Sequence, residues 1–431
     1  MSLALAGWRL CGPALAPLLE RIDYPNDQTR KAEKRGVPGL QRPVGRVIWF
    51  HGVSAGEIRA LQTLCDRVER ILRSRSGDPV TILLTTRTIS GAQMVASFAG
   101  AGVIHQYAPV DVDACVERFL DYWDPDLAVF AENEIWPATK LALRRRGVPI
   151  AIVNAALDPR SSRVWRTFGT SARPVFEAID LVVVRHSDEA AAFRRLGVRN
   201  VLAGAELKVD APDLPADPDE LARLKKIIGD RPVWLAASVH PGEEIAIART
   251  HQYLLGWHPD LLTIVAPRRL DESRRMIGKI EKLTGHSLCV RSVSGPPGKG
   301  ASIYFADTFG ELGLFFRIAP IVLMGGSYIP KGGHNPYEPA KFGAALLHGP
   351  HVRNFERAYR DFGRADACLE ISKTSDIGPA IDKLLTDSDH LRQMGEAAKS
   401  AEETLRQAVR ETTNTIADLL VDLSLSKAAG S

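Results

Sequence analysis

Short apolar runs alternate with amphipathic stretches along most of this chain. Residues 47–50 form the first run, and apolar side chains then recur at positions 58, 61, 64, 68, 71 and 72, which is the spacing of one helix face. Further apolar runs follow at 80–85, 127–130, 149–153 and 181–184. Because alternating strands and helices build a parallel sheet with helices on both faces, this pattern predicts an α/β fold.

The same alternation resumes after an interruption. Residues 210–219 contain three prolines and four acidic residues, which is typical of a linker, and apolar runs return at 233–237, 261–266, 302–305 and 321–324. A chain of 431 residues also exceeds one comfortable hydrophobic core. We therefore predict two Rossmann-like domains with parallel sheets facing a cleft. Their bounds are residues 47–209 and 221–425, with a linker at 210–220.

The N-terminal segment, residues 1–46, has a different composition. Eight basic and four acidic residues lie within 1–50, so the local net charge of +4 equals that of the whole chain. A mildly apolar start followed by basic residues favours contact with an anionic membrane surface, whereas a frayed, solvated terminus explains the same composition. No apolar run reaches the roughly 20 residues of a transmembrane helix.

Bulk composition narrows the function classes. The chain carries 55 Lys and Arg against 51 Asp and Glu, an excess too small to indicate nucleic acid as a partner. The five cysteines are odd in number and contain no CxxC pair, which favours buried thiols in a reducing compartment over a zinc site. Three Asp-x-Asp triplets are a weak metal signal, and we predict no metal site.

The first candidate site follows the apolar run at 47–50. Gly52 and Gly56 allow the backbone to turn sharply and approach a ligand. Glu57 could then act as a general base at the mouth of a cleft. Ser54 and Glu57 are also spaced as a capping box, so helix capping explains the same pair without catalysis.

Two carboxylates and an amide follow the run at 127–130. Glu132, Asn133 and Glu134 lie just past the carboxyl end of a predicted strand, where open α/β sheets bind ligands. A helix N-terminus enriched in acidic residues is the structural alternative. Two glutamates flanking Asn133 favour a functional role.

The most distinctive segment is residues 325–339, GGSYIPKGGHNPYEP, between a predicted strand and a predicted helix. Such turns bind phosphorylated ligands in α/β proteins, because unpaired N–H groups and the helix N-terminus face the ligand. Asn335 suits an N-cap, Pro336 suits the first helical position, and Glu338 fits either a capping box or a grip on ribose hydroxyls. We predict ligand-binding roles for Lys331, Gly332, Gly333, His334, Asn335 and Glu338.

Other strand ends in the second half also carry polar groups. Ser238 follows the run at 233–237, and Arg268 follows 261–266, where an arginine suits a phosphate or a carboxylate. Gly310 and Glu311 lie in the turn after 302–305, in which Thr308 and Glu311 again fit a capping box. We expect all of these residues to converge with the 325–339 segment on one rim.

Four motifs occur together in the order of one known family. The segments 51–57 (HGVSAGE), 132–137 (ENEIWP), 307–312 (DTFGEL) and 325–339 resemble those of the 3-deoxy-D-manno-octulosonic acid (Kdo) transferases, which are GT-B glycosyltransferases of Gram-negative bacteria. The resemblance implies transfer of Kdo from CMP-Kdo to a lipid A precursor, in lipopolysaccharide biosynthesis at the cytoplasmic face of the inner membrane. It implies neither a metal nor a cofactor, since helix ends and basic side chains neutralise the leaving phosphate in GT-B enzymes.

The resemblance also implies residue roles. Glu57 would be the general base, in a loop shared with Ser54 and Gly56. Glu132 or Glu134 would assist at the acceptor side or hold the donor sugar. Arg268 would contact CMP, and the phosphate and ribose of the nucleotide would be contacted by Gly310, Glu311, Asn335 and Glu338.

The chain departs from the family pattern at several positions. Arg269 stands where a histidine usually follows Arg268, residues 205–208 read AELK where GNLK is common, and Gly52 and Ala55 replace Ala and Val. These departures concern the choice of acceptor and the number of Kdo units added. The alternatives are another two-domain GT-B enzyme, such as a lipid glycosyltransferase or a sugar-nucleotide epimerase, and a non-catalytic nucleotide-binding membrane protein.

Overall fold

The computed structural model describes residues 30–100, 102–157 and 159–429, and these form two compact units. The described residues up to Pro212 and from Arg406 onward belong to the first unit, and Asp213–Leu405 form the second. The predicted membrane-associating segment, 1–46, lies outside the described residues as far as position 29. Its remainder packs into the first unit, where the Glu33 carboxylate accepts a hydrogen bond from Tyr107 N at 2.7 Å.

The first unit contains a seven-stranded, all-parallel sheet in the order β3-β2-β1-β4-β5-β6-β7. Its strands are β1 (Arg46–His51), β2 (Val80–Thr86), β3 (Val103–Tyr107), β4 (Leu127–Ala131), β5 (Ile150–Ala155), β6 (Leu181–Val184) and β7 (Val201–Ala203). Its helices are α1 (Ala55–Ser76), α2 (Ile89–Phe98), α3 (Asp113–Trp123), α4 (Pro137–Arg145), α5 (Pro159–Thr167), α6 (Arg173–Glu177) and α7 (Ala190–Leu196).

Alternate residues of β1 serve two hydrophobic layers. Trp49 packs against Phe119 and Phe130, with ring centroids 4.7 and 5.1 Å away, on one face of the sheet. Ile48 and Phe50 belong to the layer on the other face. All five side chains are fully buried, and each such burial contributes about 1.5–3 kcal/mol to folding. Coverage of both faces explains why β1 is a continuous apolar run.

The second unit repeats this architecture with the strand order β10-β11-β9-β8-β12-β13-β14. Its strands are β8 (Val233–Val239), β9 (Leu262–Pro267), β10 (Cys289–Val290), β11 (Ile303–Phe305), β12 (Ile321–Met324), β13 (Ala345–His348) and β14 (Cys368–Glu370). Its helices are α8 (Pro218–Ile228), α9 (Glu244–Leu255), α10 (Ser273–Thr284), α11 (Arg291–Ser294), α12 (Leu312–Phe316), α13 (Tyr337–Ala340), α14 (Glu356–Arg364) and α15 (Ile377–Thr386). The predicted pair of Rossmann-like sheets is confirmed.

The last helix, α16 (Ser388–Ala429), begins in the second unit and belongs to the first unit from Arg406 onward. Ile416, Leu420 and Val421 pack into the same hydrophobic layer of the first unit as Ile48 and Phe50. The expectation that 221–425 form one domain is therefore corrected from Arg406 onward. An apolar helix face can be buried by any apolar layer, so its periodicity does not say which unit it joins. Over the described ranges, no helix combines the length and the apolar composition needed to cross a membrane.

Candidate active site

Glu57 lies in the first turn of α1, immediately after β1. Its carboxylate accepts hydrogen bonds from Val53 N at 2.7 Å and from Ser54 Oγ at 3.0 Å. Ser54 is the N-cap residue, but its own side chain makes no capping hydrogen bond. Neither half of a capping box is therefore formed, because Glu57 accepts from the N–H of Val53, one residue before the N-cap. Gly56 lies within α1, and neither Gly52 nor Gly56 has a positive φ. Neither residue therefore uses the backbone conformation that glycine adopts more readily than other residues.

The environment of Glu57 suits a general base. The pKa of Glu57 is raised to about 7, chiefly by burial. The nearby Glu132 and Glu134 carboxylates also raise it, and their effect outweighs that of the hydrogen bonds from Val53 and Ser54, which lower it. A carboxylate with this pKa is largely ionised just above neutral pH and still accepts a proton readily.

Glu132 lies in the turn after β4 and is paired with a cation. Its Oε1 is 2.7 Å from Lys208 Nζ, and its backbone has a φ of 55°. A non-glycine residue in this left-handed region costs of order 1–3 kcal/mol, which is a cost often found at functional sites. Burial opposes ionisation of Lys208, but Glu206 and Glu132 outweigh it and raise the pKa of Lys208. Glu132 is therefore engaged with Lys208 across two turns of the first unit.

The pKa of Glu134 is lowered, which favours its ionised form. Trp136 Nε1 donates to its carboxylate at 2.5 Å, and His51 Nε2 faces the same oxygen at 3.8 Å. Burial alone would raise the pKa of Glu134, but His51, Arg87 and Trp136 lower it overall. His51 itself is fully buried, which lowers its pKa, and its Nδ1 is hydrogen-bonded to Thr85 Oγ1 at 2.8 Å.

The three glutamates thus have different environments. Glu132 contacts a lysine and Glu134 contacts an indole N–H, whereas the hydrogen-bond partners of Glu57 among the described residues are a backbone N–H and a hydroxyl. Environments that push carboxyl pKa values apart are the usual way to assign acid–base roles. Glu57 is accordingly the glutamate of this edge that can exchange a proton near neutral pH.

In the second unit, the turn after β8 contacts the segment after β12. Strands β8 and β12 are parallel neighbours, so their carboxyl ends adjoin. The Glu243 carboxylate accepts hydrogen bonds from Gly326 N at 2.8 Å and from Ser327 N and Tyr328 N at 3.1 Å each. The N–H groups that were expected to face a phosphate are therefore satisfied by Glu243.

The glycines of this segment have packing reasons. A Cβ on Gly325 would lie 2.4 Å from Ser238 O, and one on Gly332 would lie 2.6 Å from the Asn354 side chain. Gly333 has a φ of 72° and accepts a hydrogen bond from Asn354 Nδ2 at 3.3 Å through its carbonyl. Glycine is thus required at these positions by the packing of the chain itself, against backbone at Gly325 and against a side chain at Gly332.

Two histidines meet beside Gly326. The Nε2 atoms of His240 and His334 are 2.8 Å apart, and the two rings are nearly parallel. Burial and the Arg268 guanidinium lower the pKa of His334 to about 3 and that of His240 to about 4. Both rings are neutral at neutral pH, so one Nε2–H donates to the other Nε2. Lys331 and Arg268 are exposed beside them and supply positive charge.

The predicted helix start at Asn335 is shifted. Helix α13 begins at Tyr337, and Asn335 Oδ1 accepts a hydrogen bond from Tyr337 N at 3.1 Å. Pro336 is therefore the N-cap residue and not the first helical residue. Glu338 is half-buried within this four-residue helix.

The other predicted donor residues lie at the same edge of the second sheet. Ser238 is the next-to-last residue of β8 and has a φ of 57°, and exposed Gly310 has a φ of 84°. Arg291 Nε donates to the Glu311 carboxylate at 2.5 Å, and Thr308 Oγ1 donates to the same group. The Glu311 carboxylate is thus engaged within the unit. Arg269, in the usual histidine position, pairs with Asp271 at 2.5 Å on the surface.

The Asp-x-Asp signal for a metal has a structural explanation in one case. Asp111 accepts hydrogen bonds from Thr139 N at 2.8 Å and Thr139 Oγ1 at 2.7 Å, and so caps α4. Within the described ranges, no group of three or more His, Cys, Asp or Glu side chains is arranged to hold a metal ion.

Sequence reasoning assigned no role to four residues of these edges. These are His51, Lys208, His240 and Glu243. His51 and Lys208 lie within the motifs HGVSAGE and AELK, and His240 and Glu243 lie two and five residues after Ser238, a predicted site residue. The sequence signal for these four residues was their position at or after the end of a strand. Their contact partners are remote in the chain, so the sequence did not show what they contact.

Two Rossmann-like units that carry their polar groups at the carboxyl ends of parallel strands define the GT-B class of fold. A UDP-GlcNAc 2-epimerase from Neisseria meningitidis shares this fold, with a TM-score of 0.54 and 12% identity over 85% of this chain and 100% of that chain. The family model for 3-deoxy-D-manno-octulosonic acid transferase matches residues 18–211.

Curated relatives extend this match over most of the chain. The Arabidopsis thaliana protein named "Probable 3-deoxy-D-manno-octulosonic acid transferase, mitochondrial" is 32% identical over 88% of this chain and 86% of its own length. The Haemophilus influenzae 3-deoxy-D-manno-octulosonic acid transferase is 29% identical over 87% of this chain and 88% of its own. The chain belongs to the Kdo transferase family of glycosyltransferases, and the resemblance in its motifs is confirmed.

Proposed function

We propose that this protein transfers Kdo from CMP-Kdo to a hydroxyl of a lipid A precursor, with Glu57 as general base. One observation carries the assignment of the base. Glu57 has a pKa of about 7, whereas Glu132 is paired with Lys208, and His51, Arg87 and Trp136 lower the pKa of Glu134 against the effect of burial. Membership of the Kdo transferase family supports the assignment of Kdo as the sugar that is transferred.

The reaction needs one proton transfer and one displacement. Glu57 takes the proton of the acceptor hydroxyl while that oxygen bonds to the anomeric carbon of Kdo. The bond from this carbon to the CMP phosphate breaks, and its electron pair leaves with CMP. Exposed Arg268 and Lys331 offer positive charge to the donor carboxylate and the leaving phosphate.

We assign the nucleotide and the sugar of the donor to the strand ends of the second unit. His334 lies against Gly326, Arg268 lies close enough to lower the pKa of both His240 and His334, and Lys331 has the same effect on His240. Asn335 and Glu338 follow in the same segment. Ser238, Gly310 and Glu311 complete the proposed donor side. The acceptor side comprises Ser54, Gly56 and the three glutamates of the first unit.

We also propose that the protein works at an anionic membrane surface, at the cytoplasmic face of the inner membrane. Helix α5 and its C-terminal flank support this, because residues 159–173 hold four arginines and no acidic residue. Val164 and Phe168 are 53% and 48% exposed there, and Arg163 and Arg166 are exposed beside them. Apolar and cationic side chains on one helix suit a surface of anionic lipid.

Product analysis tests the transferase assignment. Purified full-length protein is incubated with a tetra-acylated lipid A precursor and either CMP-Kdo or UDP-N-acetylglucosamine, and the lipid is analysed by mass spectrometry. We expect mass increments of Kdo with CMP-Kdo alone, and their number gives the units added. An unmodified lipid with CMP-Kdo, or transfer from the UDP-sugar, would contradict the proposal.

Vesicle sedimentation tests the membrane assignment. We expect wild type to co-sediment with phosphatidylglycerol vesicles and the Arg163→Ser/Phe168→Ser variant to do so about 10-fold more weakly, since each surface arginine contributes about 1 kcal/mol. Trp257→Ser is the matched control, because Trp257 is 69% exposed in the second unit. Equal binding by both variants would remove α5 from the proposal.

A further inference from the structure

The Glu243 carboxylate is an anion held entirely by backbone N–H groups of the described chain. Its Oε2 accepts from His240 N at 3.0 Å and Gly326 N at 2.8 Å, and its Oε1 accepts from Ser327 N and Tyr328 N. Only 4% of Glu243 is exposed. Two donors on each oxygen, away from water, make these charge-assisted bonds strong and directional.

Three of these donors are consecutive residues of the segment that follows β12. Consecutive N–H groups that point into one concavity are the arrangement that binds phosphates in many proteins. Here a side chain from the turn after β8 occupies that concavity. The first part of the segment is therefore shaped around Glu243 and is not open to an incoming phosphate.

A second contact joins the same two turns further along the segment. His240, three residues before Glu243, is hydrogen-bonded to His334 at 2.8 Å. The Gly333 N–H donates to Gly326 O at 2.9 Å, so the segment folds back on itself between the two contacts. Glu243 and His240 thus determine where residues 326 and 334 lie relative to β8, and Lys331 lies between them.

We propose that Glu243 and His240 are positioning residues for the donor, which hold the segment from Gly325 to His334 as a clamp from the turn after β8. This rests on the proposed function, because residues of that segment are those assigned to CMP-Kdo. The ligand class is the anionic nucleotide sugar itself, whose carboxylate and phosphate meet Lys331 and Arg268. Neither Glu243 nor His240 touches the reacting atoms.

The neighbouring residue provides a matched control. Glu244 is fully buried like Glu243 and adjacent in sequence, but its carboxylate pairs with Lys279 at 2.5 Å and with Gly242 N. Glu243→Gln keeps the shape and places an amide NH₂ against backbone donors. Glu244→Gln makes the same chemical change at a carboxylate whose partners, Lys279 and Gly242 N, do not belong to residues 325–334.

Steady-state kinetics and hydrogen exchange on the full-length protein form the test. For Glu243→Gln we expect the KM for CMP-Kdo to rise about 10-fold or more, the KM for the acceptor to stay unchanged, and the amides of residues 326–328 to exchange faster. His240→Phe should raise the KM for CMP-Kdo without exposing those amides, and it replaces Glu243→Gln if that variant fails to fold. Glu244→Gln should resemble wild type in both measurements.

The outcomes separate the clamp from the proposed function. Equal donor KM values for Glu243→Gln and Glu244→Gln, or faster exchange at 326–328 without any loss of donor binding, would overturn the positioning role. If wild type neither binds CMP nor transfers Kdo, the proposed function fails, whereas the exchange of 326–328 still reports whether Glu243 holds the segment.

Discussion

Lys208 Nζ lies 2.7 Å from Glu132 Oε1, and this ion pair joins the turn after β4 to the segment after β7. Glu132 in turn raises the pKa of Glu57 by charge repulsion. Lys208 therefore acts on the proposed base through an intermediate carboxylate. It is a positioning residue whose removal should alter the pH dependence of the reaction.

Lys208→Met should move the acidic limb of the pH–rate profile to higher pH. Without its cation, the charge of Glu132 repels that of Glu57 more strongly, and the pKa of Glu57 rises by about 0.5–1 unit. Because the base works only when ionised, activity is then lost at a higher pH as the pH falls. Lys208→Arg keeps the charge and should keep the wild-type limb. A limb that stays in place for Lys208→Met would show that Glu132 does not influence Glu57.

Glu57→Gln should lower kcat by about 100-fold to 10,000-fold, which is the usual contribution of a general base. The affinity for CMP should stay within about 3-fold of wild type, because the nucleotide is assigned to the second unit. Single-turnover transfer and CMP titration measure the two quantities. Glu69→Gln is a suitable control, since Glu69 lies on the same helix in an exposed pair with Arg73. Near-wild-type transfer by Glu57→Gln would refute the role of the base.

Wild-type kcat/KM should fall to half its maximum on the acid side near pH 7, since burial and neighbouring carboxylates raise the pKa of Glu57 to about 7. The limb should be absent from the residual activity of Glu57→Gln. An unchanged limb in that variant would assign the titration to another group.

Glu57→Gln should also make the folded protein more stable at pH 8. The pKa of Glu57 is raised from 4.5 to about 7 on folding, so ionisation destabilises the folded state increasingly as the pH rises between these values. The variant removes that cost, which we put at about 1–3 kcal/mol. Urea unfolding of both proteins should show a gap at pH 8 that narrows toward pH 5. A gap that widens toward acid would have the wrong sign.

Lys140→Met should stabilise the protein or leave its stability unchanged at neutral pH. Lys140 is fully buried, its Nζ has no hydrogen-bond partner among the described residues, and it lies 2.8 Å from the centroid of the Phe130 ring. Burial lowers the pKa of Lys140 well below its usual range, because a charged amine loses its hydration there, and an apolar side chain of similar length avoids this cost. Thermal unfolding measures the change, with Lys140→Ala as a cavity-forming comparison that should destabilise. A loss of several degrees in Lys140→Met would show that its charge supports Glu134 or Asp111.

The alternation of apolar runs and amphipathic stretches predicted most of the architecture correctly. The runs at 47–50 and 321–324 are central strands, because strands buried on both faces are apolar throughout. The short strands β7, β10, β13 and β14 were not predicted, since two to four residues carry too little periodic signal, and the five-residue strand β3 was also missed. The sequence also did not predict that α16 packs into the first unit from Arg406 onward.

The sequence by itself determined the α/β class, the two sheets, the family and the strand ends at which the polar residues gather. These follow from patterns within about ten residues, where strand and helix periodicity is expressed. Only the tertiary structure decided that Lys208 pairs with Glu132, that Glu57 has no such pair among the described residues, and that Glu243 fills the concavity after β12. These contacts join residues that are 76 and 83 positions apart, and only the folding of the chain brings each donor to its acceptor.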